Sequence, residues 1–516
     1  MSARNRREFL TEVGRGMVAV TAGAGTAAGL GMAPAEAGES AAPLQFGALE
    51  PLVCLMQDTA AEQLLPVLVE RLHRGTELRE LVAAAALANA RTFGGEDYIG
   101  FHTMMALSPA YHMAQELPAE RRALPVLKVL YRNTTHIQAH GGRKSEVLHP
   151  VAEVADSSRG GSALREAVRR RDVAGAEGIF ASTVRRSRTE AFNDLLVTVQ
   201  DQLDVHRTVL PYRAWDLLDI IGPEHAHTML RQSVRYCVKA EPGRNSPSNA
   251  PEALLPRLLE QYRLLDRSPG DRSADDSWVE RLGQTLFRST PAEAAEAAAS
   301  ALAEGFLPSA VGEAISLAAN QLVLRDPGRR PAQEDTGKPV GSVHGDSVGV
   351  HACDTANAWR NMARVTNARN TFACLILGAY QVARDRTIYG ADLATLEPLP
   401  VPYHLARLTS TEPGALLAEA EAAIRGNLQG RAAAAIHRYG QLGHPHRPVF
   451  DLLLRYAISE DGSLHAEKYY RTVAEEFAVT RPTFRWRQLV ALARVTASEF
   501  GRPAPGYAEA CRLLKV

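Results

Sequence analysis

The chain has 516 residues, 46% of them apolar and 22% charged, which places its body among folded globular proteins rather than disordered ones. Lysine plus arginine and aspartate plus glutamate both total 58. This even balance argues against a dedicated nucleic-acid binder, which needs a basic face.

Residues 5–10 read NRREFL, a twin-arginine phrase built on Arg6, Arg7, Phe9 and Leu10. An Ala- and Gly-rich, weakly apolar run follows from Gly16 to Ala33. Ala33-Pro34-Ala35 and Ala35-Glu36-Ala37 then offer A-x-A cleavage sites. The segment 1–37 therefore resembles a bacterial Tat export signal, which implies the Tat machinery as a partner and a periplasmic or extracellular destination. No later stretch has 18 uninterrupted apolar residues, so stable membrane insertion is not expected.

The remaining chain is rich in Ala and Leu, poor in alternating strand patterns, and carries runs such as AAEAAEAAASALAEG. Intrinsic propensity and periodicity predict an all-α protein. The five cysteines lack C-x-x-C spacing; most read as buried thiols, with a single bridge in an oxidising compartment as the alternative, and Cys353 lies two residues from His351 and off its helical face.

An internal duplication is legible. DYIGFH, Asp97 to His102, has its counterpart in DSVGVH, Asp346 to His351, giving D-x-x-G-x-H twice. Met113-Ala114 then matches Met362-Ala363, and His112 stands opposite Asn361. Upstream, Gly75, Ala84, Leu87 and Ala88 match Gly305, Ala314, Leu317 and Ala318 at an offset of 230. The offset widens across RDPGRRPAQEDTGKPVG, a loop by composition. Downstream, His206 falls opposite His465, and ten residues after each comes an acid, Asp216 and Glu475. Alanine-rich helices resemble one another by chance, but paired histidines in order do not follow from composition. The expected organisation is two related helical halves, 45–245 and 285–516, joined by a connector at 246–284 with one helix. They would pack around a shared core with approximate twofold pseudo-symmetry. The period is too long for a short-repeat solenoid.

In each D-x-x-G-x-H phrase the aspartate is placed to cap a helix and the glycine permits a close approach. The histidine then enters the first turns. Related by a twofold axis, His102, His206, His351 and His465 would converge, and four buried imidazoles are costly unless they bind something. Neutral imidazole suits transition metals, so these four are the candidate ligands for Fe, Cu or Zn, with the ion's identity open. Asp97 and Asp346 are expected to position the histidine helices. His112 and Asn361 are candidate catalytic or substrate-facing groups. Structural histidines bonding carbonyls across helix contacts are the plain alternative. His136 and His140 read as a helix end, His444 and His446 as loop residues, and His225 and His227 as lying on different faces.

Two resemblances add to this reading. ERLHRGTELRELVAAAALANAR with GFHTMMALSPAYHMA, and DGSLHAEKYYRTVAEEF with TRPTFRWRQLVALARVTASEFG, resemble the terminal blocks of an uncharacterised family of Tat-exported, all-helical bacterial proteins. GVHACDTANAWR is similar to the His-Thr-Ala helix phrase of the questin oxidase-like family, with Thr355 and Ala356 displaced. That likeness implies oxidative chemistry on aromatic polyketides. The combined expectation is an exported, histidine-rich metalloenzyme, an oxidoreductase acting on a small organic substrate between two helical halves. The alternatives are a noncatalytic binding scaffold and a metal-dependent hydrolase.

Overall fold

Short apolar faces, polar caps and Pro/Gly punctuation turn this sequence into helices of 4 to 18 residues. The computed structural model describes residues 43–152, 160–242, 250–387 and 390–516. The twin-arginine phrase and its cleavage sites lie outside the described residues. The protein is all-α: 23 α-helices and no strand occur among the described residues, with only isolated bridges such as Arg272 to Phe306. Leu44–Val516 forms one unit with a continuous core. All five cysteines are free thiols.

Ten helices position the site and are numbered here. They are α1 Leu78–Phe93, α2 Tyr98–Gln115, α3 Leu124–Ala139, α4 Val205–Ile221 and α5 Ala226–Lys239 in the first part of the chain. In the second part come α6 Pro308–Arg325, α7 Val348–Val365, α8 Ala368–Asp385, α9 His465–Val479 and α10 Pro482–Glu499. Their starts are chemically specified. Asp97 accepts from the Gly100 amide at the start of α2, and Asp204 accepts from the Arg207 amide at the start of α4. A reciprocal Glu77–Glu80 box opens α1, and prolines open α6 and α10.

The packing runs in parallel through the two parts of the chain. Helix α2 packs on α1 and α3, and α7 packs on α6 and α8. Helix α5 packs on α1 and α4, and α10 packs on α6 and α9. At the centre α2, α4, α7 and α9 form a closed square, α2 on α4, α4 on α7, α7 on α9 and α9 on α2. The glycines of the two phrases explain how closely the layers approach. A Cβ on Gly100 would lie 2.5 Å from Phe93 Cγ at the end of α1. One on Gly349 would lie 2.5 Å from Val323 Cα near the end of α6. Phe93 and Val323 are themselves 230 residues apart, the offset read between those two segments.

One expected cap is corrected. Asp346 does not cap α7; Ser347 does, through its hydroxyl and the Val350 amide. Asp346 instead pairs with Arg329 and with Lys338 (2.9 Å), fastening the loop that enters the helix. The shorter serine reaches the helix amides, while the carboxylate is drawn to two cations already fixed in that loop. The segment between α6 and α7 is loop apart from the short turn Pro331–Gln333. The span 246–284 holds the helix Ala250–Gln261 and the start of Asp276–Arg288, which pack against α8 and α6 respectively.

Candidate functional site

The four repeated histidines come together where α2, α4, α7 and α9 begin. Their rings touch around a cycle: His102 to His206 at 4.8 Å between centroids, His206 to His351 at 5.9 Å, His351 to His465 at 5.3 Å, and His465 to His102 at 5.1 Å. The ε nitrogens of His351 and His465 are 3.2 Å apart. His102 and His465 are buried, at 3% exposure each, and His206 and His351 are half-buried. Tyr98, itself 48% exposed, lies over the cluster with its ring 4.4 Å from His102 and 5.5 Å from His206.

Backbone geometry aims these rings. His102 Nδ1 faces the Tyr98 carbonyl at 2.7 Å, and His465 Nδ1 faces the Ser463 carbonyl at 3.0 Å. His206 Nδ1 faces Asp204 Oδ1 at 3.7 Å. An Nδ1–H donating to an oxygen fixes the tautomer and leaves Nε2 as the lone-pair nitrogen, the arrangement found behind metal-bound histidines. His102 Nε2 is buried without a hydrogen bond. The approach to His465 is strained: Ser463 and Leu464 both take left-handed backbone, at φ 52° and 66°. Asp461 holds that turn by accepting from the Ser463 amide (2.9 Å), and Arg132 holds Asp461 (2.8 Å).

The electrostatics keep the rings neutral. Burial, then the nearby Lys468 ammonium, pushes both His102 and His465 well below the usual histidine range. Converging helix N-termini act in the same direction. Burial opposes ionisation of Asp204, but His206 and the Tyr236 hydroxyl at 2.6 Å hold its carboxyl below the usual range.

Below the histidines runs a polar seam that spacing alone does not announce. Three residues after His351 and His465 come Asp354 and Lys468; at the same step His102 and His206 are followed by the apolar Met105 and Val209. Seven residues on, Arg213 and Thr472 meet at 3.3 Å, and Thr472 donates to Asp354 at 2.8 Å. Ten residues on stand His112, Asp216, Asn361 and Glu475. The steps of three, seven and ten keep all these groups on one helical face. Arg213, 2% exposed, has its Nη1 at 3.7 Å from Asp216 and 3.6 Å from Glu475. Tyr212 donates to Glu475 at 3.0 Å, Asn361 reaches Glu475 at 3.5 Å, and Ser108 bonds Asp216. Burial, with Arg471 adding to it, pushes His112 down to about 4.

His112 and Asn361 are therefore not beside the four histidines. Ten helical residues carry them about 15 Å along the bundle, into the group around Arg213. Arg213, Asp354, Lys468 and Thr472 were missed by motif reading, because their partners lie on facing helices. Three of the other histidines have clear local partners. His136 bonds the capping Asp97 (2.6 Å) and stacks on Phe93, His344 is held by Ser498 and the Gly337 carbonyl, and His444 bonds the Thr411 carbonyl. Cys353 is buried, and burial pushes its thiol well up, out of the range of a ready thiolate.

Two imidazole nitrogens at about 2.0–2.1 Å from one ion, with an angle near ~100°, stand roughly 3.2 Å apart, and adjacent ring centres then lie roughly 4.5–5 Å apart. The His351–His465 pair has this spacing, and three of the four ring contacts lie within a few tenths of an ångström of it. As the side chains stand, however, no group of three or more His, Cys, Asp or Glu among the described residues forms a set able to hold an ion. The cluster is thus one pair at ligand spacing with two more rings drawn up beside it. The surface clefts at Asp326, Gly328 and Leu393 and at Glu280, Gly283 and Arg487 are not lined by any of the four.

Compared with known proteins, the chain matches no family model, no curated protein and no solved structure.

Proposed function

We propose that this chain is an exported metalloprotein that holds a transition metal ion through His102, His206, His351 and His465 and works as an oxidoreductase on a small organic substrate. The observation that carries the reading is the meeting of four histidines from four helices with their δ nitrogens turned to oxygens or their ε nitrogens turned inward. Burying the ε nitrogen of His102 without a hydrogen bond is unfavourable. A bound ion would supply a redox centre with a position for substrate. The chain's own residues hold the rings neutral, shield them from water and orient them through the carbonyls of Tyr98 and Ser463. His112 and Asn361 shape the far end of the polar seam.

The same reading takes the two parts of the chain as products of duplication. The paired Gly100–Phe93 and Gly349–Val323 approaches support this, as does the contribution of two adjacent central helices by each part of the chain. Export rests on Arg6 and Arg7: changing both to lysine is expected to retain the protein inside the cell, and unchanged export would remove that part of the proposal.

Elemental analysis of natively exported protein tests the metal reading. About one equivalent of Fe, Cu or Zn is expected, falling sharply in His351→Ala and His465→Ala. Metal content unaffected by both changes would overturn it. A second reading rests on the absence of a ready ligand set among the described side chains: a noncatalytic scaffold in which the His351–His465 contact is a structural hydrogen bond. Metal-free native protein of undiminished thermal stability supports that reading. Stoichiometric metal without any redox response favours the hydrolase.

A further inference from the structure

His102 and His465 are aimed in different ways. His102 lies inside α2, and its Nδ1 faces a carbonyl of its own helix, that of Tyr98 one turn back. His465 is the first residue of α9, and its Nδ1 faces the Ser463 carbonyl, which lies before the helix begins. The first residue of a helix has no preceding turn of its own helix to bond to. The direction of the His465 ring therefore depends on the backbone of Ser463 and Leu464, both in the left-handed region that side chains disfavour. Such a turn persists only where its surroundings over-determine it.

The second part of the chain ties one end of the turn. The Glu460 carboxylate accepts from the Gly501 amide (2.9 Å) and the Arg502 amide (2.7 Å), and the Ser459 carbonyl accepts from the Ala504 amide (2.8 Å). A second hold comes from α3, in the first part. Lys128 and Arg132 are four residues apart, on one face of that helix. Lys128, 5% exposed, donates to the carbonyls of Ala457 (2.9 Å) and Glu460 (2.7 Å) and pairs with the buried Glu467 carboxylate (2.6 Å). Three acceptors match the three donors of an ammonium, and they bracket the turn from before and after. Arg132 grips its middle through Asp461, which accepts from the Ser463 amide.

We infer that Lys128 and Arg132 are positioning residues for His465: α3 of the first part holds the 461–464 turn left-handed and so aims a ring of the second part into the histidine group. This deepens the metal reading above by naming what orients one of its ligands. It needs no ion, so the two readings can fail separately.

The test uses the full chain, stripped of metal and carrying isotope-labelled histidine, with ring protonation read by nuclear magnetic resonance. The His465 signals are identified by their loss in His465→Gln, and those of His102 by their loss in His102→Gln. In the parent both rings are expected to carry their proton on Nδ1. In Arg132→Ala the His465 proton is expected to spread to Nε2, while His102, held within its own helix, is unchanged. Arg132→Lys should restore the parent pattern at His465. Lys128→Met should give the larger shift; if it does not fold, the two Arg132 variants suffice. A His465 ring that keeps its Nδ1 proton in Arg132→Ala would overturn the inference. Equal changes at His102 and His465 would mark a general loosening and overturn it too. A parent that retains no ion while His465 responds as expected would leave this inference standing and remove the metal reading.

Discussion

His351 Nε2 and His465 Nε2 lie 3.2 Å apart although the two residues are 114 positions apart in the chain. Because His465 Nδ1 faces the Ser463 carbonyl, its ε nitrogen is the acceptor in the neutral ring. This contact tolerates one shared proton or one shared cation, but not two charged rings.

Acid should therefore unfold the protein early. His102 and His465 have folded values well below those of exposed histidine, chiefly through burial. As pH falls below about 6.5, the unfolded chain takes up protons that the folded chain refuses, so stability drops. Thermal melts from pH 8 to pH 5 should show the loss setting in below about 6.5. His102→Gln should flatten the slope. A melting temperature independent of pH over that range would contradict the assigned neutral state.

The two phrase glycines should differ in their tolerance of a methyl group. At Gly349 the added Cβ meets backbone, 2.5 Å from Val323 Cα and 2.7 Å from its nitrogen. At Gly100 it meets the Phe93 side chain, 2.5 Å from Cγ. A helix axis shifts less readily than a ring, so Gly349→Ala should cost ~3 kcal/mol or more and Gly100→Ala less. Denaturant unfolding of both variants checks the order.

Arg213 should be far more costly to remove alone than together with its carboxylates. It is buried between Asp216 and Glu475. Arg213→Met leaves two partly buried acids facing each other, and a loss of about 3–5 kcal/mol is expected. The triple change Arg213→Met, Asp216→Asn, Glu475→Gln should recover much of it. A triple variant no more stable than the single one would show that the group acts through packing instead.

Glu499 offers a stabilising change. Burial pushes its carboxyl up to about 8, with Lys128 pulling the other way. Between about 4.5 and 8 the folded chain holds a proton that the unfolded chain releases, so stability declines as pH rises. Glu499→Gln needs no proton. Its advantage over the parent should grow with pH across that window, by at most about 1.4 kcal/mol per pH unit. Chemical denaturation at pH 5, 7 and 8.5 measures the trend.

Much of this arrangement can be read from the letters alone. Alanine-rich runs and proline and glycine breaks gave the helical class, and the ordered histidine pairs led to the ring that the helices build. The reasons for what stayed hidden are local. DSVGVH matches DYIGFH at Asp, Gly and His, yet its helix is capped by Ser347 rather than Asp346, because Arg329 and Lys338 engage Asp346. His112 and Asn361 fill matching slots of the two phrases, but ten residues of helical rise separate them from the four histidines. Arg213 and Lys468 belong to unremarkable strings, VLPYRAW and HAEKYY, and gain meaning only when a facing helix supplies Asp354, Thr472 or Glu475.

The split origin of the square has a consequence for biosynthesis. Helices α2 and α4 come early in the chain and α7 and α9 late, and each early helix packs against one late helix across the ring, α2 on α9 and α4 on α7. A nascent chain halted before α7 exposes two imidazoles with nothing to close over them. The ring of four histidines can therefore close only after His465, on the last of the four helices, has been made, and a chain arrested before that point lacks it.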